Sequence, residues 1–310
     1  YEIMPSLVGS EMCIRDRARI IEITKPLGGA MRFGIKTAPQ HTSWGDMLDV
    51  WRAADGVELF ETAWNFDHFY PLQGDKNGPC LEAWVTLSAL AQATSRIRIG
   101  CMVNGVLYRH PALVANMAAS LDIVSKGRFE LGLGAGWNEL ETKAYGIDLL
   151  PMGQRMDRFE EAVEVIDSLL SHEVTNFQGK YFQLDQARCE PKGPQQPRPP
   201  IVIGGGGEKR TLRIAARFAQ HWNLSFVTPD IFRKKNEILL AHCEAVGRDP
   251  SLITRSVQLI LKTNQDPTEV VDEAAVLFAA GVDKVIFMLS TPYRAEQVTA
   301  LAKSLETIGP

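Results

Sequence analysis

Apolar positions fall into two rhythms along the chain. Short, nearly continuous apolar runs, the mark of strands buried on both faces, alternate with longer stretches whose apolar residues recur every three or four positions. The short runs are MRFGIKT (31–37), GVELFETAW (56–64), RIRIGCMV (96–103), RFELGLGAG (128–136), PPIVIGGGG (199–207), HWNLSF (221–226), RSVQLILK (255–262) and DKVIFML (283–289). Helical stretches follow them at 44–54, 80–95, 110–127, 153–171, 208–220, 229–247, 266–281 and 295–309. Pro111 opens one helix and Gly127 follows its end, which is the expected asymmetry of helix termini. Residues 173–199 break the rhythm, with two strand-like pieces around Gln178, Gly179 and Lys180 and then a Pro-rich run. This segment is expected to be an insertion with a small hairpin, lying over the mouth of the fold rather than in its core.

A strand followed by a helix, repeated eight times, implies a parallel sheet. Eight such units in residues 31–310 match a (β/α)8 TIM barrel, an α/β fold. The rival is a doubly wound sheet, which usually has fewer strands. Residues 1–30 show neither rhythm. In YEIMPSLVGSEMCIRDR (1–17), Glu11, Arg15, Asp16 and Arg17 interrupt every apolar piece, so it is no secretory core. The strand count closes without it, and the string resembles adapter-derived sequence read as protein. Residues 1–30 are therefore expected to be a non-native or disordered extension, and 31–310 a single barrel domain.

Composition excludes more than it assigns. The chain has 310 residues, 45% hydrophobic and 23% charged, with a formal net charge of −4. No long basic run points to nucleic acid. No apolar run reaches the roughly eighteen residues of a membrane span. The five cysteines (Cys13, Cys80, Cys101, Cys189, Cys243) show no CxxC spacing, and the histidines form no HxH or HxxxH pattern. Neither a disulfide framework nor a metal site is expected, and a reducing cytoplasm is the default.

In such a barrel, chemistry sits at the carboxyl ends of the strands. After the second strand comes Asn65-Phe66-Asp67-His68-Phe69, in which His68 beside Asp67 is the best acid/base candidate. A histidine held in place for structure is the alternative. After the third come Asn104-Gly105-Val106 and then Tyr108-Arg109-His110-Pro111; His110 either donates to an anion or caps the next helix. Gly134-Ala135-Gly136-Trp137-Asn138-Glu139 follows the fourth. Its glycines miss the dinucleotide fingerprint, because Trp137 stands where the third glycine belongs. They are expected to keep the strand end open for something flat. Glu139 and Glu141 read as solvated loop charges. Gly204, Gly205, Gly206 and Gly207 run into a helix start, which suits a phosphate or is a permissive turn. Lys209 and Arg210 tilt that choice toward an anion.

The segments RIRIGCMVNGVLYRHPALVANMAASLDIVSKGRFELGLGAGWNELETKAYGI (96–147), RFEEAVEVIDSLL (158–170) and PPIVIGGGGEKRTLRIAARFAQHWN (199–223) together resemble the bacterial luciferase-like monooxygenase superfamily. The resemblance is nearest to its branch of oxidoreductases dependent on coenzyme F420, a 5-deazaflavin. It implies a (β/α)8 barrel with an insertion near the mouth. Asp67 and His68 would match an Asp-His pair after the second strand. A non-prolyl cis peptide in a bulge against the ring would fall at Met102-Val103. Asn104 and the backbone at Ala135, Gly136 and Trp137 would adjoin the ring, and Gly205 to Gly207 the phosphate. A homodimer is usual in the superfamily. One departure is plain: sugar-phosphate dehydrogenases of this kind carry a glutamate proton donor where Trp137 stands, so their substrate does not carry over.

The expected activity is hydride transfer between the deazaflavin and a small organic substrate, with His68 handling the proton. Two alternatives stand beside it. With FMN the protein would be a two-component monooxygenase using O2 and fed by a reductase. A barrel that binds a flavin-like ligand without turnover is the other. A cationic strip for a longer tail would favour the deazaflavin, and Arg109, Lys209 and Arg210 hint at one. Ser225, Phe226, Thr291 and Tyr293 are expected to shape the substrate pocket.

Overall fold

Alternation along each strand sorts the barrel wall into an outer apolar face and an inner, more polar one. The computed structural model describes residues 31–308; the extension read at 1–30 lies outside the described residues. The strands are β1 (Arg32–Lys36), β2 (Phe60–Asn65), β3 (Arg98–Cys101), β4 (Asn104–Gly105), β5 (Phe129–Gly134), β6 (Thr175–Gln178), β7 (Gln183–Ala187), β8 (Ile201–Gly204), β9 (His221–Ser225), β10 (Thr254–Leu261) and β11 (Lys284–Leu289). The helices are α1 (Trp44–Asp55), α2 (Ala83–Ala93), α3 (Pro111–Val124), α4 (Glu139–Ala144), α5 (Met152–Ser171), α6 (Thr211–Phe218), α7 (Pro229–Ala245), α8 (Pro267–Ala279) and α9 (Ala295–Leu305).

The sheet runs β3-β2-β1-β11-β10-β9-β8-β5-β4, and β3 also pairs with β5, which closes it. The two residues of β4 continue the line of β3 along β5, with Asn104 opposite Leu133 and Gly105 opposite Gly134. Nine strand segments thus make eight parallel staves. In β1 the outward Phe33 meets Phe278 of α8 edge to face, with centroids 5.6 Å apart. Inside, Trp64, Met102, Val202 and Ile286 form an apolar cluster of their own. Trp64 fills room left at Gly100, where a Cβ would lie 2.3 Å from its Cζ3. The amino end of the barrel is filled by charge. Glu61 joins Arg32 at 2.8 Å and Lys284 at 3.1 Å, and Glu130 joins Arg98 at 2.6 Å and His221 at 3.3 Å.

Helix starts follow their local chemistry. Thr228 and Asp266 each cap a helix whose next residue is proline, and Ser43 with Asp46 forms a capping box on α1. Two starts fall later than the apolar runs suggest. Strand β2 begins at Phe60 because its N–H closes a turn onto the Val57 carbonyl, and α6 begins at Thr211 after a turn through residues 208–210.

The insertion lies elsewhere than expected. Strands β6 and β7 do form an antiparallel hairpin, but its tip is tied to the flank of α5, where the N–H groups of Lys180, Tyr181 and Phe182 all donate to Glu161. The Pro-rich run passes to the amino ends of the strands, where Gln195 donates to Asp122 and to the Phe129 carbonyl. Phe182 and Leu184 are buried, and the helical layer supplies the apolar surface they need. None of residues 173–199 lines the cleft at the barrel mouth.

Candidate active site

The carboxyl ends of the staves open into a cleft of about 550 Å3, within the range of small-molecule sites. Asp67 and His68 line it after β2, Met102, Val103 and Asn104 after β3, and Ala135, Gly136 and Trp137 after β5. Gly204 and Gly205 line it at the end of β8, whereas Gly206 and Gly207 lie beyond its lining.

His68 is set between two aromatic edges. Its ring meets Phe66 at 5.0 Å and Trp137 at 5.5 Å, both edge to face. Trp137 itself is 60% exposed at the mouth. The carboxylate on His68 is not Asp67 but Glu141, whose Oε1 lies 2.6 Å from Nδ1. A carboxylate at that distance assigns the Nδ1 proton to His68 and leaves Nε2 for the cleft. Glu141 also accepts from Tyr108 Oη and from the Phe69 N–H. Burial pushes its carboxyl up, but the hydrogen bonds from His68, Tyr108 and Phe69 outweigh that and hold it below the usual range.

The reading of Glu141 as a solvated loop charge is therefore wrong: it is fully buried. The missed element is α4, capped by Asn138, whose side chain accepts from Leu140 N and Glu141 N. Asn138-x-x-Glu141 is the spacing of a capping box. Here the glutamate turns away from the cap and into the loop after β2.

Asp67 has another task. Its oxygens take Arg109 at 2.6 and 3.1 Å, and Arg109 also reaches Glu82 at 2.7 Å. Burial pushes the Asp67 carboxyl up, with Arg109 pulling against it. Arg109 is thus committed, and so is Arg210, which pairs with Asp157 and Glu160. His110 caps α3 by accepting from Ala112 N. Tyr293 and Thr291 do not line the cleft, while Ser225 and Phe226 do. The Tyr293 hydroxyl instead bridges the Ala38 N–H and carbonyl, pinning the loop after β1.

The Met102-Val103 peptide is cis, at the position the resemblance implies. Gly134, expected to help keep its strand end open, and Gly204 both lie against Val103, whose side chain fills the space beside them. A Cβ on Gly134 would lie 2.7 Å from Val103 Cγ2, and one on Gly204 would lie 3.0 Å from both Val103 methyls. Gly134→Ala should therefore cost about 1–3 kcal/mol by overpacking, read as a lower urea midpoint. Adding Val103→Ala should recover most of the loss, because the collision is with that side chain. If the double variant is no better than the single, the packing account fails.

Two polar groups on the cleft wall are Asn104, which the resemblance set beside the ring, and Lys36, which the sequence reading did not single out. Asn104 donates to the Gly132 carbonyl at 2.7 Å, and its Oδ1 is a buried acceptor with no donor in the protein. Lys36, at the inner end of β1, is also buried in the cleft. The available signal was its alternate position in an apolar strand. Among the described residues, no helix is long and apolar enough to cross a membrane, and no three metal-ligating side chains come together.

The comparisons with known proteins agree with this architecture. A family model for luciferase-like monooxygenases matches residues 31–308. An F420-dependent hydroxymycolic acid dehydrogenase of Mycobacterium tuberculosis is 33% identical over 208 residues, which are 67% of this chain and 56% of that relative. The chain therefore spans little more than half of that relative's length. The pyrimidine monooxygenase RutA of Allorhizobium ampelinum is 33% identical over 153 residues, 47% of this chain and 41% of the relative. An F420-dependent secondary alcohol dehydrogenase, solved with an F420-acetone adduct, superposes with a TM-score of 0.81 over 90% of this chain and 99% of its own, at 20% identity. A closed parallel barrel, a cleft at its carboxyl ends and a family match across every described residue lead to one assignment: the chain belongs to the luciferase-like monooxygenase family.

Proposed function

We propose that the protein is an oxidoreductase that transfers a hydride between the deazaflavin coenzyme F420 and a small organic substrate. The observation that carries this reading is His68, held in the cleft wall with Nδ1 committed to a buried carboxylate. A relative named as an F420-dependent dehydrogenase supports the choice of cofactor. The cleft fits a flat heterocycle with a phosphorylated tail. Asn104 Oδ1 is a buried acceptor awaiting a donor and suits a ring N–H. Gly205, at φ +112°, and Thr211 at the start of α6 suit a phosphate. Exposed Trp137 and Phe226 offer apolar faces at the rim.

When bound, the cofactor supplies a ring carbon that accepts or delivers a hydride in one two-electron step. His68 takes or returns the accompanying proton through Nε2 at the substrate's heteroatom. Glu141 keeps the other ring nitrogen protonated, so the proton exchanged belongs to Nε2. The side chains of Phe66, Trp137 and Val103 hold the reacting groups in place and keep water from them.

Glu141→Gln tests the positioning role. The amide can offer an N–H to Nδ1 and so favour the opposite tautomer, a logic known from catalytic triads. We expect kcat to fall on the order of 10²-fold with the substrate KM and cofactor affinity little changed. A rise in KM at constant kcat would contradict the assignment.

A second reading, FMN with O2, draws on a specific observation: Arg109 and Arg210, which hinted at a cationic strip for the deazaflavin tail, are bound to acids. A relative named as a monooxygenase is consistent with it. Titration with F420 and with FMN, each oxidised and reduced, decides between the two through quenching of Trp137. Tight binding of the deazaflavin, followed by turnover with hydride acceptors, supports the proposal. Tight binding of reduced FMN alone overturns it, and deazaflavin binding with no acceptor ever reduced points to the non-catalytic alternative.

A further inference from the structure

Among the described residues two lysines are buried, and they differ in company. Lys284, 1% exposed, has Glu61 at 3.1 Å and the charge of Glu130 nearby. Lys36, 7% exposed, has neither. Its Nζ donates to Gln258 Oε1 at 2.8 Å. That amide cannot turn away, because its Nε2 donates to Asn223 Oδ1 at 2.6 Å and to Ser225 Oγ at 2.9 Å. Asn223 is fixed in turn, donating to Ser256 Oγ at 2.8 Å. The amide oxygen is thereby held toward Lys36.

An ammonium has three N–H groups, and a neutral amide answers one of them. The ionisable group that acts on Lys36 is the Cys101 thiol, which burial pushes well up and keeps neutral, so it is no counter-charge. Burial lowers Lys36 to about 8, with Cys101 pulling the other way. A buried charge is normally paired. Here the floor of the cleft presents an amine aimed by Gln258 that, among the described residues, forms no ion pair with a carboxylate.

We propose that Lys36 receives a negatively charged oxygen of a ligand in this cleft. This rests on the oxidoreductase reading above. Two sources share that chemistry: the ring carbonyl of the reduced deazaflavin, which carries the charge left by N1 deprotonation, and a carboxylate or charge-gaining carbonyl of the substrate. Gln258, Asn223 and Ser225 are positioning residues that aim the ammonium.

Binding of three probes to wild type, Lys36→Met and Lys36→Arg decides the matter by tryptophan fluorescence: oxidised deazaflavin, reduced deazaflavin under argon, and acetate added to protein saturated with the oxidised form. If the ring is the source, Lys36→Met weakens the reduced form at least about tenfold, roughly 1.4 kcal/mol, and spares the oxidised form. If the substrate is the source, both cofactor forms bind normally and acetate binding is lost. Lys36→Arg keeps most of whichever affinity is affected. Unchanged binding of all probes in Lys36→Met overturns the proposal, as does an equal loss of both cofactor forms with acetate unaffected. Should Lys36→Met not fold, Lys36→Gln takes its place. If the wild type binds neither deazaflavin nor FMN, the oxidoreductase reading fails on its own. Acetate titrated into the free protein still tests Lys36: a response in wild type that Lys36→Met lacks supports the anion role, and none in either overturns it.

Discussion

His68→Gln should lower kcat for the proposed hydride transfer by roughly 10²–10⁴-fold, the usual worth of a positioned acid/base group, and leave the deazaflavin dissociation constant within a few-fold. Glutamine can still donate an amide N–H toward Glu141, so α4 keeps its tie to the loop after β2. What the variant lacks is a nitrogen that gains and loses a proton. The ring edges of Phe66 and Trp137 remain, at 5.0 and 5.5 Å from where the imidazole stood, and continue to wall the cleft. Steady-state turnover together with equilibrium cofactor titration checks the result. Unchanged kcat would remove His68 from the chemistry, and matching losses of kcat and cofactor affinity would make it a structural residue of the wall.

The second large effect is on stability. Glu130→Gln should destabilise the barrel by about 3 kcal/mol at pH 7, the scale for breaking a buried ion pair. Glu130 is 6% exposed, and the amide leaves Arg98 without its carboxylate and Lys284 with the charge of Glu61 but not that of Glu130. Burial works to raise the Glu130 carboxyl, yet the His221 hydrogen bond and the charges of Lys284, His221 and Arg98 hold it well below its ordinary 4.5. A carboxyl depressed in the folded state contributes stability that is complete above its unfolded value and fades as pH falls below it. The gap between wild type and Glu130→Gln in urea unfolding should therefore be constant near neutrality and narrow below about pH 4.5. His221 adds a loss of the same sign at higher pH. Burial lowers its proton affinity from the ordinary 6.5, so the unfolded chain takes up its proton first and wild-type stability begins to fall there. Because Glu130 also favours the His221 proton, the test is read in strong acid, where a gap that keeps its neutral-pH size would contradict the assignment of the charge to Glu130.

Period and punctuation made the barrel legible. A strand that must be apolar on its outer face and a helix with one apolar stripe announce themselves in one dimension, and Pro229 and Pro267 after capping residues mark where helices begin. The candidate site was half legible for the same reason: strand ends locate His68, Asn104 and Trp137 on one rim. Pairing was not legible. Asp67 and His68 are neighbours in the chain, but successive residues point apart; Asp67 turns to Arg109, 42 positions on, and His68 to Glu141, 73 positions on. The partners are chosen by how three loops meet, which no local pattern records. The neighbour of Gly134 was illegible for a similar reason. A glycine announces that something is close, and only the fold says that it is Val103.

The hairpin of residues 175–187 bears on traffic rather than on chemistry. Because it is fastened along α5 and the Pro-rich run is tucked beneath the barrel, this insertion forms no doorway. A ligand can reach and leave His68 without the hairpin first unlocking. How long a ligand stays in the cleft is therefore set by the cleft's own contacts and not by the insertion.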